Sequence, residues 1–210
     1  MAACPNCGAP LESPLACGAC HTLLAPSAEL SPFEVLGLTP AFSIDPKGLR
    51  KQLLKVSRWV HPDFFATAPL ETREAAERAS AQLNDAYELL SDDFRRADWL
   101  VQDLGGPNEN DERQMPQAFL MEVLEWNEVL DAARDAGADS PEWSALDALE
   151  TELSGERKRS FESVGASLDP LPEPESPSLT EVRRVLNALR YLERSLSQIR
   201  TMRLQQARSA

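Results

Sequence analysis

From Ser31 to about residue 206, apolar side chains recur at spacings of three and four, and no alternating run long enough for a strand interrupts them. A chain with that single period buries its core by packing helix on helix, so the pattern predicts an all-α fold. Punctuation divides it. Ser31-Pro32-Phe33-Glu34 supplies a cap, a first-turn proline and the acid of a capping box, which predicts a short helix ending near Gly37. Asp45-Pro46 opens a helix over 46–60, and Pro62 ends it by disfavouring helix at the residue before it. A helix over 69–90 returns with Ala76, Ala79, Leu83, Ala86, Tyr87 and Leu90 at helical spacing, so the two long helices are expected to form an antiparallel hairpin. A fourth helix is expected around Arg95–Leu100. Gly105-Gly106-Pro107 and a polar stretch to Arg113 read as a linker. Beyond it, helices over 116–136, 141–163 and 178–206, with the proline-rich connection 169–177, predict an antiparallel three-helix bundle.

The first 26 residues have no such period. They hold all four cysteines of the chain, as Cys4-Pro-Asn-Cys7 and Cys17-Gly-Ala-Cys20. Two C-x-x-C knuckles can converge four thiolates on one tetrahedral metal ion, with Gly8 and Gly18 permitting the tight turns. Disulfides or idle thiols are the bland alternative, disfavoured in a chain with no other cysteine and no secretion signal. The expected cofactor is structural zinc. Four protein ligands leave no open position for a substrate, so the ion would hold together a loop too small to fold alone. Thiolates also suit iron–sulfur clusters, so spacing leaves the metal open between zinc and a transient cluster. His21 is read as a bystander.

With 21 basic and 34 acidic residues, the formal charge is −13, which opposes indiscriminate attraction to nucleic acid or an anionic membrane. No apolar run exceeds four residues, where a membrane helix needs about 20. The amino terminus has no basic segment followed by an apolar one, and the expected location is the cytoplasm.

Against that background the helix 46–60 stands apart. Leu49, Leu53, Val56 and Val60 form its buried stripe, Lys47, Lys51, Lys55 and Arg58 lie opposite with Arg50 at the flank, and no acid occurs between Asp45 and Asp63. Mixed signs are usual on a solvated face. One sign alone favours docking to an acidic partner. His61 and Asp63 of His61-Pro62-Asp63 are then expected to lie exposed at the hairpin tip. As an acid/base pair, His61 and Asp63 lack every accompanying part: no nucleophile motif, phosphate-binding loop or cofactor fingerprint is present, so the chain is read as no enzyme. In the first bundle helix, Phe119, Val123, Trp126 and Leu130 share the inward face, whereas Leu120, Met121 and Leu124 point 100° or more away, beside Glu125 and Glu128. An apolar patch edged by carboxylates reads as a binding surface. A second basic segment, 181–208, carries seven arginines against two glutamates and suits either partner orientation or solubility.

The series Phe33-Glu-Val-Leu-Gly-Leu38, basic helix, His61-Pro62-Asp63 and Leu83-Asn-Asp-Ala-Tyr-Glu-Leu-Leu90 resembles a J domain. Residues 115–132, together with Arg190-Tyr191-Leu192, resemble the HscB family, the J-protein co-chaperones of iron–sulfur cluster biogenesis, over about 31–206. The cysteine-rich start is similar to the zinc-binding extension of some members. The resemblance implies a zinc-binding extension (1–26), a J domain (31–107) and a scaffold-binding bundle (115–208). It implies docking on a DnaK/HscA-class chaperone whose ATPase is stimulated, through His61, Pro62, Asp63, Lys47, Arg50, Lys51, Lys55 and Arg58. It further implies an IscU-type scaffold held by Leu120, Met121, Leu124, Glu125, Glu128 and Tyr191. Phe64 stands where lysine is common in J domains, Ala132 where the family often has an acid, and Tyr191 where phenylalanine occurs. The rival reading is a general J protein for unfolded clients.

Overall fold

Ser31 begins the helical part as its residue types require. Its hydroxyl accepts from the Glu34 amide at 3.1 Å while its own amide donates to the Glu34 carboxylate at 2.8 Å, closing both halves of a capping box. The computed structural model describes residues 2–25, 30–115, 117–136 and 140–209. Among them are seven α-helices and no strand: α1 (Pro32–Val35), α2 (Pro46–Val60), α3 (Leu70–Ser91), α4 (Asp93–Asp103), α5 (Gln117–Asp135), α6 (Pro141–Leu168) and α7 (Ser178–Ser209). The chain divides into two compact units, Met1–Arg96 and Ala97–Ala210, at a boundary inside α4.

In the first unit, Asp45 caps α2 by accepting from the amides of Lys47 and Gly48. Leu49, Val56 and Val60 are buried and Leu53 half-buried, so the core stripe of α2 lies as its spacing requires. It packs on α3, where alanines at 76, 79 and 86 let the helices approach closely, and α1 inserts Phe33, Val35 and Leu36 beside them. Arg96 closes this unit. Its buried guanidinium donates to the carbonyls of Phe42 (2.6 Å) and Leu90, pairs with Asp93, and lies 5.1 Å from the centre of the Phe42 ring.

In the second unit, α5, α6 and α7 pack as a three-helix bundle. Leu179, Val182, Leu186, Leu189, Leu192, Leu196, Ile199 and Met202 form the buried face of α7 at spacings of three and four. Helix α6 runs to Leu168, five residues beyond the expected 163. Val164 and Leu168 continue its buried stripe through Gly165, and Asp169-Pro170 supplies the stop.

The polar stretch after Pro107, expected as a linker, is fastened to α7. The Asn187 amide donates to the carbonyls of Glu112 (2.9 Å) and Gln114 (3.0 Å), Arg184 pairs with Glu112 at 3.1 Å, and Arg190 pairs with Glu109. One row of α7 side chains thus straps the segment along the bundle, satisfying backbone groups that water would otherwise have to serve.

Candidate functional site

Three features of the chain are candidates for chemistry or recognition, and the cysteine module is the most fully built. Its two knuckles repeat one hydrogen-bond plan at an offset of thirteen residues. Cys4 N–H donates to Ala9 O and Cys17 N–H to Thr22 O; Gly8 N–H donates to Cys4 O and His21 N–H to Cys17 O; Leu11 N–H donates to Ala2 O and Leu24 N–H to Leu15 O. The isolated bridges Ala3–Pro10 and Ala16–Leu23 obey the same offset. Gly8, with φ +72°, is matched in the second knuckle by His21, with φ +56°. Gly18 therefore has a different role from the turn-forming one expected of it: a Cβ there would lie 2.6 Å from Cζ2 of Trp59. His21 is no member of the ligand cluster.

The four Sγ atoms all lie within 4.8 Å of one another, with Cys4–Cys20 at 3.6 Å and Cys7–Cys17 at 3.7 Å. A tetrahedron with metal–sulfur bonds of about 2.3 Å has edges of about 3.8 Å, whereas a disulfide requires about 2.05 Å. The donor set fits a tetrahedral thiophilic ion, and the residues are free thiols rather than disulfides. Hydrogen bonds from the hydroxyl and the amide of Thr22 draw the Cys20 thiol down to about 5. The Ala9 amide pulls Cys7 the same way, yet the hydrogen bond to Cys20, burial and the neighbouring sulfurs push it up to about 12. Four crowded sulfurs keep a proton on one another, which a cation among them would displace.

At the end of α2, His61 leaves the helix with ψ 126° and Pro62–Phe65 form a single 3₁₀ turn. The His61 side chain is 48% exposed and that of Asp63 90%. The Asp63 amide donates to Nδ1 of His61 at 3.3 Å, so the imidazole is oriented by the turn that follows it. Phe64, 71% exposed, sets its ring edge-on to His61 at 6.2 Å between centroids. Lys47, Arg50, Lys51 and Arg58 are exposed along α2. Lys55 is not a free member of that row, because its ammonium is paired with Glu12 of the cysteine module.

On the bundle, Phe119, Trp126 and Leu130 are buried while Leu120, Met121 and Leu124 are 48%, 67% and 62% exposed. Glu125 and Glu128 are exposed beside them. Tyr191 of α7 joins this face from the neighbouring helix: its ring meets Phe119 edge-on at 6.4 Å, and Phe119 meets Trp126 in the same way at 5.2 Å. Among the described residues, no helix is long and apolar enough to cross a membrane.

Residues 115–200 match the family model described as the HSCB C-terminal oligomerisation domain. A co-chaperone protein HscB homolog of Paraburkholderia phytofirmans is 34% identical over 175 residues, 81% of this chain and 93% of the relative. The chain belongs to the HscB family of co-chaperones. The crystal structure of human co-chaperone protein HscB is similar with a TM-score of 0.77 at 25% identity, covering 97% of this chain and all of that one. Chaperone HscB from Vibrio cholerae is similar with a TM-score of 0.69 at 26% identity, covering 84% and 99%.

For this HscB-family chain, the four cysteines converge, His61 and Asp63 are exposed with Pro62 half-buried between them, and the bundle patch gathers residues from two helices. The seat of the cysteine module escaped sequence reasoning. Trp59 lies outside the core stripe of α2 and is nonetheless only 8% exposed, because Gly18 packs on it. A large aromatic next to a basic row was the available signal.

Proposed function

We propose that this HscB-family co-chaperone stimulates the ATPase of a DnaK/HscA-class chaperone and delivers to it an IscU-type scaffold during iron–sulfur cluster assembly. The observation that carries the reading is the solvent exposure of His61 and Asp63 at the end of a helix bearing five exposed cations, one of them paired with Glu12. Cations steer an acidic partner toward α2, and the 3₁₀ turn presents the imidazole and carboxylate in one fixed arrangement. Docking accelerates hydrolysis only by favouring the hydrolysis-competent state of the chaperone over its resting state.

The bundle patch holds the scaffold. Leu120, Met121, Leu124 and Tyr191 supply apolar contact, and Glu125 and Glu128 a polar rim. Carrying both modules on one chain raises the effective concentration of scaffold at the chaperone. Zinc at Cys4, Cys7, Cys17 and Cys20 would supply a cross-link between the knuckles and no reaction on a substrate. The protein itself makes and breaks no covalent bond.

The test is the ATPase rate of a DnaK/HscA-class chaperone with this protein, with an IscU-type scaffold, and with both. Synergy is expected, and His61→Gln should abolish it while scaffold binding and the helical spectrum persist. Stimulation undiminished by His61→Gln would remove the chaperone assignment. Equal delivery of an unfolded polypeptide would favour a general J protein.

A further inference from the structure

With successive residues placed about 100° apart, α2 presents three arcs. Leu49, Leu53, Val56 and Val60 span about 60° toward the hairpin core. Lys47, Arg50, Lys51 and Arg58 span about 100° around the exposed Leu54. Gln52, Lys55 and Trp59 occupy an arc of about 60° between those two. That third arc faces the cysteine module. Glu12 pairs with Lys55, Gln52 and Glu12 line a common 460 Å³ cleft, and Gly18, between two cysteines, packs so closely on the Trp59 ring that a Cβ would not fit. Lys55 also reaches to 5.7 Å from the centre of that ring. Two further contacts fix the module to α1: the buried Ser13 hydroxyl donates to Val35 O at 2.8 Å, and Glu12 O occupies the space a side chain at Gly37 would need.

We infer that metal binding by the four cysteines and docking of the chaperone on α2 are coupled, each strengthening the other, through the clamp of Gly18 on Trp59. The inference rests on the docking reading above and adds a regulator to it. Trp59 lies two residues before His61, in the last turn of the helix that the 3₁₀ turn follows. With the metal bound, Gly18 is held by Cys17 and Cys20 on either side and pins that last turn. With the metal gone, the knuckles lose their cross-link, Trp59 loses its cover, and the turn carrying His61 becomes free to fray. Ordering it again opposes docking. The Glu12–Lys55 pair works in the opposite direction by occupying one cation, but both side chains are about half exposed, and solvent screens such a pair. The Trp59 ring is almost wholly buried, and burying an aromatic ring outweighs a screened ion pair, so pinning wins.

Coupling between sites is reciprocal, and the test uses that. Zinc affinity of the full-length protein is measured by competition with a chromophoric chelator, with and without a saturating DnaK/HscA-class chaperone. Chaperone affinity is measured with zinc-loaded and chelator-stripped protein. Both factors should be equal and at least about fivefold. Amide exchange should show zinc removal stripping protection from Trp59 and Val60. Equal chaperone affinity of loaded and stripped protein, or a zinc affinity indifferent to chaperone, overturns the coupling. If stripping melts the whole first unit, the variant Trp59→Leu decides: it removes the clamp's ring and no cysteine, so it should keep one zinc per chain while the coupling factor falls below about two. Undiminished coupling in that variant overturns the inference. Should His61→Gln leave docking and stimulation intact, the partner reading fails, and the exchange measurement still judges the clamp.

Discussion

Asp98 of α4 accepts a charged hydrogen bond from Arg183 of α7, whose side chain is wholly buried. Nε of Arg183 also donates to Pro107 O at 3.1 Å, and its Nη1 has no partner among the described residues. Removing one member of such a pair leaves a buried charge or an uncompensated carboxylate, at a cost of about 3–5 kcal/mol. Arg183→Ala should therefore lower unfolding stability by about 3 kcal/mol in urea titration. The double variant Arg183→Met, Asp98→Leu should recover most of that loss, because no charge is then left to desolvate.

Leu124 is 62% exposed and has no part in the core. Leu124→Asp should weaken scaffold binding by about tenfold or more, since roughly 1.5–3 kcal/mol of apolar contact is replaced by a charge among carboxylates. Its thermal midpoint should stay within about 2 °C of the parent. Calorimetric titration with the scaffold and a thermal scan check the two halves separately.

Gly37 has φ +64°, and Glu12 O sits where its Cβ would be. Gly37→Ala forces both an unfavourable backbone region and displacement of the module from α1, a cost on the order of 2 kcal/mol. The melting temperature should fall, and limited proteolysis should begin near Glu12 rather than in the bundle.

Glu112 is held below the ordinary carboxylate range, first by the Gln114 amide at 2.7 Å and then by Arg184. A depressed folded-state pKa contributes stability that is present above the ordinary value of about 4.5 and is lost as pH falls through the folded value. Glu112→Gln should accordingly lose less stability between pH 7 and pH 3 than the parent, as read by urea titration at each pH.

Much of this was legible because helix starts and stops are local. Ser31, Asp45 and Pro62 mark their boundaries by chemistry within three residues. The outward face of α5 was equally legible, since Leu120, Met121 and Leu124 depart from the stripe that Phe119, Trp126 and Leu130 define. What the chain does at long range was hidden. The arginines of 181–208 looked like a basic surface, yet Arg183, Arg184, Arg190 and Arg203 are paired with acids from elsewhere in the second unit, four of the seven. Net charge over a segment says nothing about partners a hundred residues away. Likewise Lys55 read as one cation in a row until Glu12, 43 residues earlier, was found beside it. The thirteen-residue repeat of the knuckles is a backbone pattern that only the cysteines betray, because Gly8 and His21 share a conformation and no chemistry.

The fifteen residues of α2 have no idle side. One flank answers to the hairpin interior, one to the cysteine knuckles and one to whatever approaches from solvent, so a change tolerated by the first neighbour is still screened by the next. Random substitution should find few silent positions here, and this stretch should vary least across a library selected for function.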